Sequence, residues 1–276
     1  MASFSEKFIN LGAPRKIWTV AAVHGQRANL ARVHEKIFAE FTPGDRLVYT
    51  GNYLCAEKGA APRDVINDLL AFRRKLMAVP GVMAEDIIYL RGVQEELWTK
   101  LTQIQMAQSP RQVIEWISQT YPEMDTLLAA YGTSLLEAGR VAREGILSLT
   151  RWSGALKKNL REHAGAEKFF TSLRRAAFTD QRQSNDNNIL FVHAGINPSK
   201  PLMEQNDQFW WAHKNFAAMQ TAYAPFRTVV RGSDPQGAGV KVGTVNVSLD
   251  GGSGKGGQLV CAQLTPAGDV LDVYAA

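Results

Sequence analysis

Two histidines in this 276-residue chain stand where an apolar run gives way to small residues, His24 in Val23-His24-Gly25 and His193 in Val192-His193-Ala194-Gly195. Two more runs break off in the same way, into Gly51-Asn52 and into Arg91-Gly92-Val93-Gln94-Glu95. Near the C-terminus, Ser233-Asp234 follows the apolar run Thr228–Val230. Imidazoles and an amide oxygen are metal donors, so His24, Asn52 and His193 are the set that one weakly held transition metal would use. Exposed amides of such loops also suit an anion, with Arg91 as an added cation. The plain alternatives are loop histidines hydrogen-bonded to backbone and an Arg91 held in a salt bridge. Gln94 and Glu95 read as the first turn of a helix, where a carboxylate favours the dipole. Cys55 has no base nearby in sequence to activate it. The stretch 251–257 (GGSGKGG) lacks the Ser or Thr that a nucleotide loop places after its lysine, and it reads as a flexible connection.

These residues need a frame that brings loop ends together. Residues 17–23, 46–50 and 87–90 are short apolar runs that predict buried strands. Leu30, Val33, Ile37, Phe38 and Phe41 recur at helical spacing between the first two, and Val65, Leu69, Phe72 and Leu76 between the next two. Strand, helix, strand, helix, strand is the pattern of a parallel α/β sheet. Ligands of such sheets sit at the carboxyl ends of the strands, which here means the loops opening at His24, Asn52 and Val93. Segments 94–106, 110–119, 133–149 and 166–177 predict helices, so 96–185 is expected to form a helical insertion or cap. Residues 189–192 predict another strand, and four more follow among glycine-rich turns, read as a mostly antiparallel block.

Composition narrows the function. Apolar residues make up 45% and charged residues 21%, ordinary for a globular chain. The net charge of +5 favours anionic partners, but the basic residues are scattered, which argues against nucleic acid. Two cysteines make no disulfide framework. The N-terminus has no signal-peptide core and no apolar run approaches the roughly 18 residues of a membrane span, so a cytoplasmic protein is expected.

Four segments, in order, resemble the calcineurin-like metallophosphoesterases, in particular the bacterial serine/threonine phosphatase type. Ala21-Ala22-Val23-His24-Gly25 stands where that family has Gly-Asp-x-His-Gly. Gly51-Asn52-Tyr53-Leu54-Cys55-Ala56 stands for Gly-Asp-Tyr-Val-Asp-Arg, Leu90-Arg91-Gly92-Val93-Gln94-Glu95 for Leu-Arg-Gly-Asn-His-Glu, and Phe191-Val192-His193-Ala194-Gly195 for Phe-Val-His-Ala-Gly. Val230-Arg231-Gly232-Ser233-Asp234-Pro235 falls at Val-His-Gly-His-Thr-Pro. The likeness extends over nearly the whole chain. It implies one domain over 1–276, a four-layer αββα sandwich of two mixed sheets flanked by helices, with the helical insertion within it.

The same resemblance implies a lost catalytic site. Two metals in that family polarise the phosphoryl group and generate hydroxide, and anionic oxygens hold them. At the ligand positions this chain has Ala22, Asn52, Val93 and Ser233, and only His24 and His193 are retained. The general acid falls at Gln94, its orienting carboxylate at Cys55, and the phosphate-clamping arginine at Ala56, with Lys58 nearby. The expectation is a pseudophosphatase without a metal cofactor. It would bind a partner protein or an anionic, phosphorylated ligand through a vestigial cleft that includes His24, Asn52, Arg91, Gln94, Glu95, His193, Ser233 and Asp234. The rival is an active phosphoric-ester hydrolase using one Mn, Fe, Zn or Mg, or a rearranged site drawing on Glu95, Asp234 or Asp250.

Overall fold

The computed structural model describes residues 7–55, 59–180 and 187–276. Strand β1 (Phe8–Asn10) is followed by β2 (Ile17–Val20), helix α1 (Arg27–Glu40), β3 (Arg46–Tyr49), α2 (Pro62–Met77) and β4 (Ile87–Tyr89). Strands β2, β3 and β4 pair in parallel, as the alternation of apolar strand and amphipathic helix requires. Along β2 the side chains alternate: Ile17 faces one apolar cluster, Trp18 and Val20 the other. Helix α1 buries Leu30, Val33, His34 and Ile37, and α2 buries Val65, Ile66, Leu69, Phe72 and Leu76. Each of those fully covered aliphatic side chains contributes on the order of 1.5–3 kcal/mol.

Six helices come next: α3 (Val93–Thr102), α4 (Pro110–Thr120), α5 (Met124–Ala130), α6 (Leu135–Glu144), α7 (Ile146–Glu162) and α8 (Ala166–Ser172). The helical pattern over 133–149 is two helices, because Gly145 at φ 116° takes a conformation that breaks the first. The helix expected over 166–177 stops at Ser172, and residues 176–178 instead form β5 (Ala176–Phe178).

The remaining elements are β6 (Asn188–Val192), the short helices α9 (Gln208–Trp211) and α10 (His213–Ala217), β7 (Phe226–Arg231), β8 (Lys241–Val242), β9 (Asn246–Ser248), β10 (Val260–Leu264) and β11 (Val270–Ala275). Among the described residues the strands form two mixed sheets, ordered β1-β5-β6-β7-β9-β8 and β11-β10-β2-β3-β4. The late strands are therefore not one antiparallel block. Strands β7 and β9 run parallel to β6, while β10 and β11 make an antiparallel hairpin on β2. Glycine-rich turns signal chain reversals, but which sheet each strand joins depends on contacts far apart in sequence.

Ile17, Val48, Ile88, Phe191, Val230 and Ala262 share one buried cluster, so the two sheets face each other. The opposite faces meet the helices: Leu47 and Tyr89 lie in a cluster with α1 and α2, and Val229 in the same cluster with Phe209 and Phe216 of α9 and α10. The layers are helix, sheet, sheet, helix.

Candidate functional site

The two sheets meet where β2, β3, β4, β6, β7 and β9 end. The Ala22 N–H donates to the Gly232 carbonyl at 3.0 Å, and the Ser233 N–H to the His193 carbonyl at 3.0 Å. Gly232 lies so close to Thr50 that a Cβ there would fall 1.7 Å from its hydroxyl oxygen. The strand ends thus draw segments some 200 residues apart in sequence to one edge of the sandwich. Two non-glycine residues on this edge carry left-handed backbone, His24 at φ 50° and Asn52 at φ 54°. Such conformations cost energy and persist where neighbours enforce them.

The neighbours are the first turn of α3. The Glu95 carboxylate is fully buried and accepts three backbone N–H groups, from Gly92 at 2.8 Å, Tyr53 at 2.9 Å and Asn52 at 3.0 Å. Burial raises its pKa, and the three donors pull it back only in part. The Gln94 Oε1 accepts from Leu54 N–H at 3.0 Å and Cys55 N–H at 2.9 Å, while its Nε2 donates to the Cys55 carbonyl at 2.6 Å and lies 3.3 Å from His24 Nδ1. The Gln94 N–H donates to Asn52 Oδ1 at 3.1 Å. Both side chains stand in the first turn of a helix, and both are spent on fastening loop 51–55.

His193 is completely buried. Its Nδ1 lies 2.6 Å from the Thr50 carbonyl, which makes Nδ1–H the donor, and its Nε2 has no partner among the described residues. Burial pushes its pKa down to about 3, with His213 and His24 adding to the fall and the Thr50 carbonyl opposing it. His213 is pushed down to about 4, first by burial and then by Arg231, and its Nδ1 is likewise buried with no partner among the described residues. His24 is lowered by burial, which the Asp250 carboxylate partly offsets.

Beside these lies a cavity of about 590 Å³, lined by His24, Cys55, Glu123, Ser233, Asp234, Asp250 and Lys255 among others. Asp234 pairs with Arg231 at 2.7 Å, and Arg231 Nε donates to Ser248 Oγ at 3.0 Å. Asp250 accepts from Asp234 N–H at 2.7 Å and Gly252 N–H at 2.8 Å. Lys255 Nζ donates to the Pro235 carbonyl at 2.6 Å. Among the described residues the lining is of mixed charge, three carboxylates and one lysine. Cys55 is held well above the ordinary thiol range, chiefly by burial, which disfavours the thiolate form.

The fold therefore sorts the eight residues named from sequence. His24, Ser233 and Asp234 line the cavity. Asn52, Gln94 and Glu95 form the buried network behind it, and His193 is sealed next to it. Arg91 faces another cavity altogether. Ala56 and Lys58 lie outside the described residues. Glu123 and Arg231 were not singled out from sequence, although Arg231 occupies a motif position and that was a usable signal; Lys255 is the lysine of the stretch read as a flexible connection. The glycine-rich stretch is no loose connection: Ser253 Oγ donates to the Val23 carbonyl at 3.0 Å, and a Cβ on Gly254 would lie 2.7 Å from the His24 ring.

No family model and no curated protein matches the chain. Among solved structures, a candidate diadenosine tetraphosphatase superposes with a TM-score of 0.55 at 16% identity, covering 98% of each chain. A protein serine/threonine phosphatase from Saccharomyces cerevisiae aligns at a TM-score of 0.49 and 14% identity over 98% of this chain and 82% of that one. A mutant cold-active protein tyrosine phosphatase aligns at 0.46 and 12% over 100% and 85%. The fold is the metallophosphoesterase sandwich, two mixed sheets flanked by helices, shared with the first of these.

Proposed function

We propose that this chain is a catalytically impaired protein of the bacterial serine/threonine phosphatase type that acts by binding, in a regulatory role, through the strand-end cleft. The observation that carries the reading is the closed network of Asn52, Gln94 and Glu95. A dinuclear centre needs anionic oxygens between its cations. Ala22 and Val93 carry no donor atom, and Asn52 is neutral with its Oδ1 engaged by the Gln94 N–H. Among the described residues no group of three or more His, Cys, Asp or Glu side chains is arranged to hold a metal ion. The donor set does not fit two metals. Gln94 cannot protonate a leaving group near neutral pH. The cleft's mixed charge suits a partner or phosphorylated ligand recognised by hydrogen bonds as much as by net charge. Among the described residues no helix is long and apolar enough to cross a membrane. Two buried free cysteines, Cys55 and Cys261, suit a reducing compartment such as the cytoplasm.

One observation favours a second reading. His193 Nε2 carries a lone pair with no partner among the described residues, and His24 and His213 both help lower this histidine's pKa. A hydrolase with one metal would start from that atom. Elemental analysis of the full chain, with turnover on phosphopeptides, phosphomonoesters and dinucleoside polyphosphates, separates the two. Metal-free protein without turnover is expected. Near-stoichiometric Mn, Fe or Zn together with turnover abolished by His193→Ala would overturn the non-catalytic reading.

A further inference from the structure

Arg91 precedes Gly92 at the end of β4, yet its side chain is turned away from the cleft. Its N–H donates to the Arg174 carbonyl at 2.7 Å, the Arg174 N–H returns to the Tyr89 carbonyl at 2.9 Å, and the Arg175 N–H donates to the Lys7 carbonyl at 2.7 Å. This stitching gathers four cationic side chains, Lys7, Arg91, Arg174 and Arg175, around a cavity of about 490 Å³ that Thr171 and Leu173 complete. Among the described residues no carboxylate lines it. Glu96 pairs with Arg91 at 3.2 Å but is shared with Lys100 at 3.4 Å. Among the described residues Arg174 and Arg175 have no carboxylate partner.

The three guanidinium groups are held in place before any ligand arrives. Arg91 Nη1 rests on Glu96, Arg174 Nη1 donates to the Ser172 carbonyl at 3.0 Å, and the Arg175 guanidinium lies 5.3 Å from the centre of the Trp210 ring. Arg91 Nε is buried with no partner among the described residues. Like charges in a concavity raise one another's energy and focus a field that draws anions in. Planar guanidinium forks match phosphoryl oxygens in pairs, and groups already ordered lose little entropy on binding. The volume suits a small molecule.

We propose that this cavity binds a small soluble polyanion of the pyrophosphate class, with phosphoryl oxygens on the Arg91, Arg174 and Arg175 forks and Lys7 supplying further charge. It is separate from the strand-end cavity, with which it shares no lining residue among the described residues. The proposal does not depend on whether the chain is catalytic.

Calorimetric titration of the full chain with inorganic pyrophosphate, at constant ionic strength and without added metal, tests it. Saturable one-to-one binding that weakens as salt rises is expected. The Lys7→Gln/Arg175→Gln double variant should bind about tenfold or more weakly. Lys255→Gln, in the other cavity, should bind as the parent does. Thr171→Glu leaves every cation in place, adds a carboxylate at an exposed lining position, and should abolish binding even if the double variant fails to fold. Absence of saturable binding by the parent overturns the proposal, as does undiminished binding by Thr171→Glu or loss confined to Lys255→Gln.

Discussion

At the scale of single residues, Gln94 and Glu95 hold the site edge together. Gln94 satisfies the Leu54 and Cys55 N–H groups and the Cys55 carbonyl, all buried. Gln94→Ala leaves those groups without partners and should cost about 2–3 kcal/mol of unfolding free energy by urea titration, with faster amide exchange at Leu54 and Cys55. An unchanged midpoint would show the network to be incidental. Asn52→Asp restores the charge that the resemblance expects and keeps an acceptor for the Gln94 N–H, yet Ala22 and Val93 still offer nothing. We expect this variant to purify without stoichiometric manganese. The side-chain chemistry of these positions was legible in the sequence, since an amide does not titrate wherever it is placed. Their use was not, because it depends on loop 51–55 lying against α3, some 40 residues away.

At the scale of elements, close approach decides what is tolerated. A Cβ on Gly92 would fall 2.2 Å from Asn52 N and 2.5 Å from its Oδ1. Gly92→Ala should therefore cost about 2–3 kcal/mol or push loop 51–55 off α3, which denaturation and exchange would both report. Helix α6 opens on Ser134, whose hydroxyl accepts the Glu137 N–H at 3.0 Å, and Ser134→Ala should cost about 1 kcal/mol. Strands β2, β3 and β4 were legible because continuous apolar runs alternate with amphipathic helices. Strands β1 and β5 were not: Phe8–Asn10 ends in a polar residue, and Ala176–Phe178 continues the helical spacing read over 166–177. Gly145 divides α6 from α7 through its backbone conformation alone, while the apolar spacing continues across it.

At the scale of the whole molecule, burial has made every one of the 5 histidines a poor base. His34 and His193 are pushed to about 3 and His213 to about 4, and His24 and His163 are lowered as well, with burial the leading cause in each. The unfolded chain takes up protons near pH 6.5 that the folded chain refuses until much lower pH. Stability is therefore full above about 6.5 and falls as pH drops toward 3. His34 and His193 alone give a slope on the order of 3 kcal/mol per pH unit. Glu95 and Glu123, both raised by burial, act in the opposite sense just above the ordinary carboxyl range and soften the fall there. Urea titrations from pH 7.5 down to 4.5 should show a steep loss, and a flat profile between 7 and 5 would contradict the buried neutral state of His193.

The sequence by itself determined which donor atoms each position carries. Ala22 and Val93 have no ligand atom, and no packing can supply one. It also determined the parallel core of β2, β3 and β4, since period and length are written locally. Only the tertiary structure decided that Arg91 turns away from the cleft to join Arg174 and Arg175. It alone decided that Arg231 and Asp234 pair beneath the cavity, and that Ser253 bonds the Val23 carbonyl across 230 residues of chain. The reason is physical. A side chain's donors are its own, but its direction, its burial and its partners come from strands that find one another across the fold.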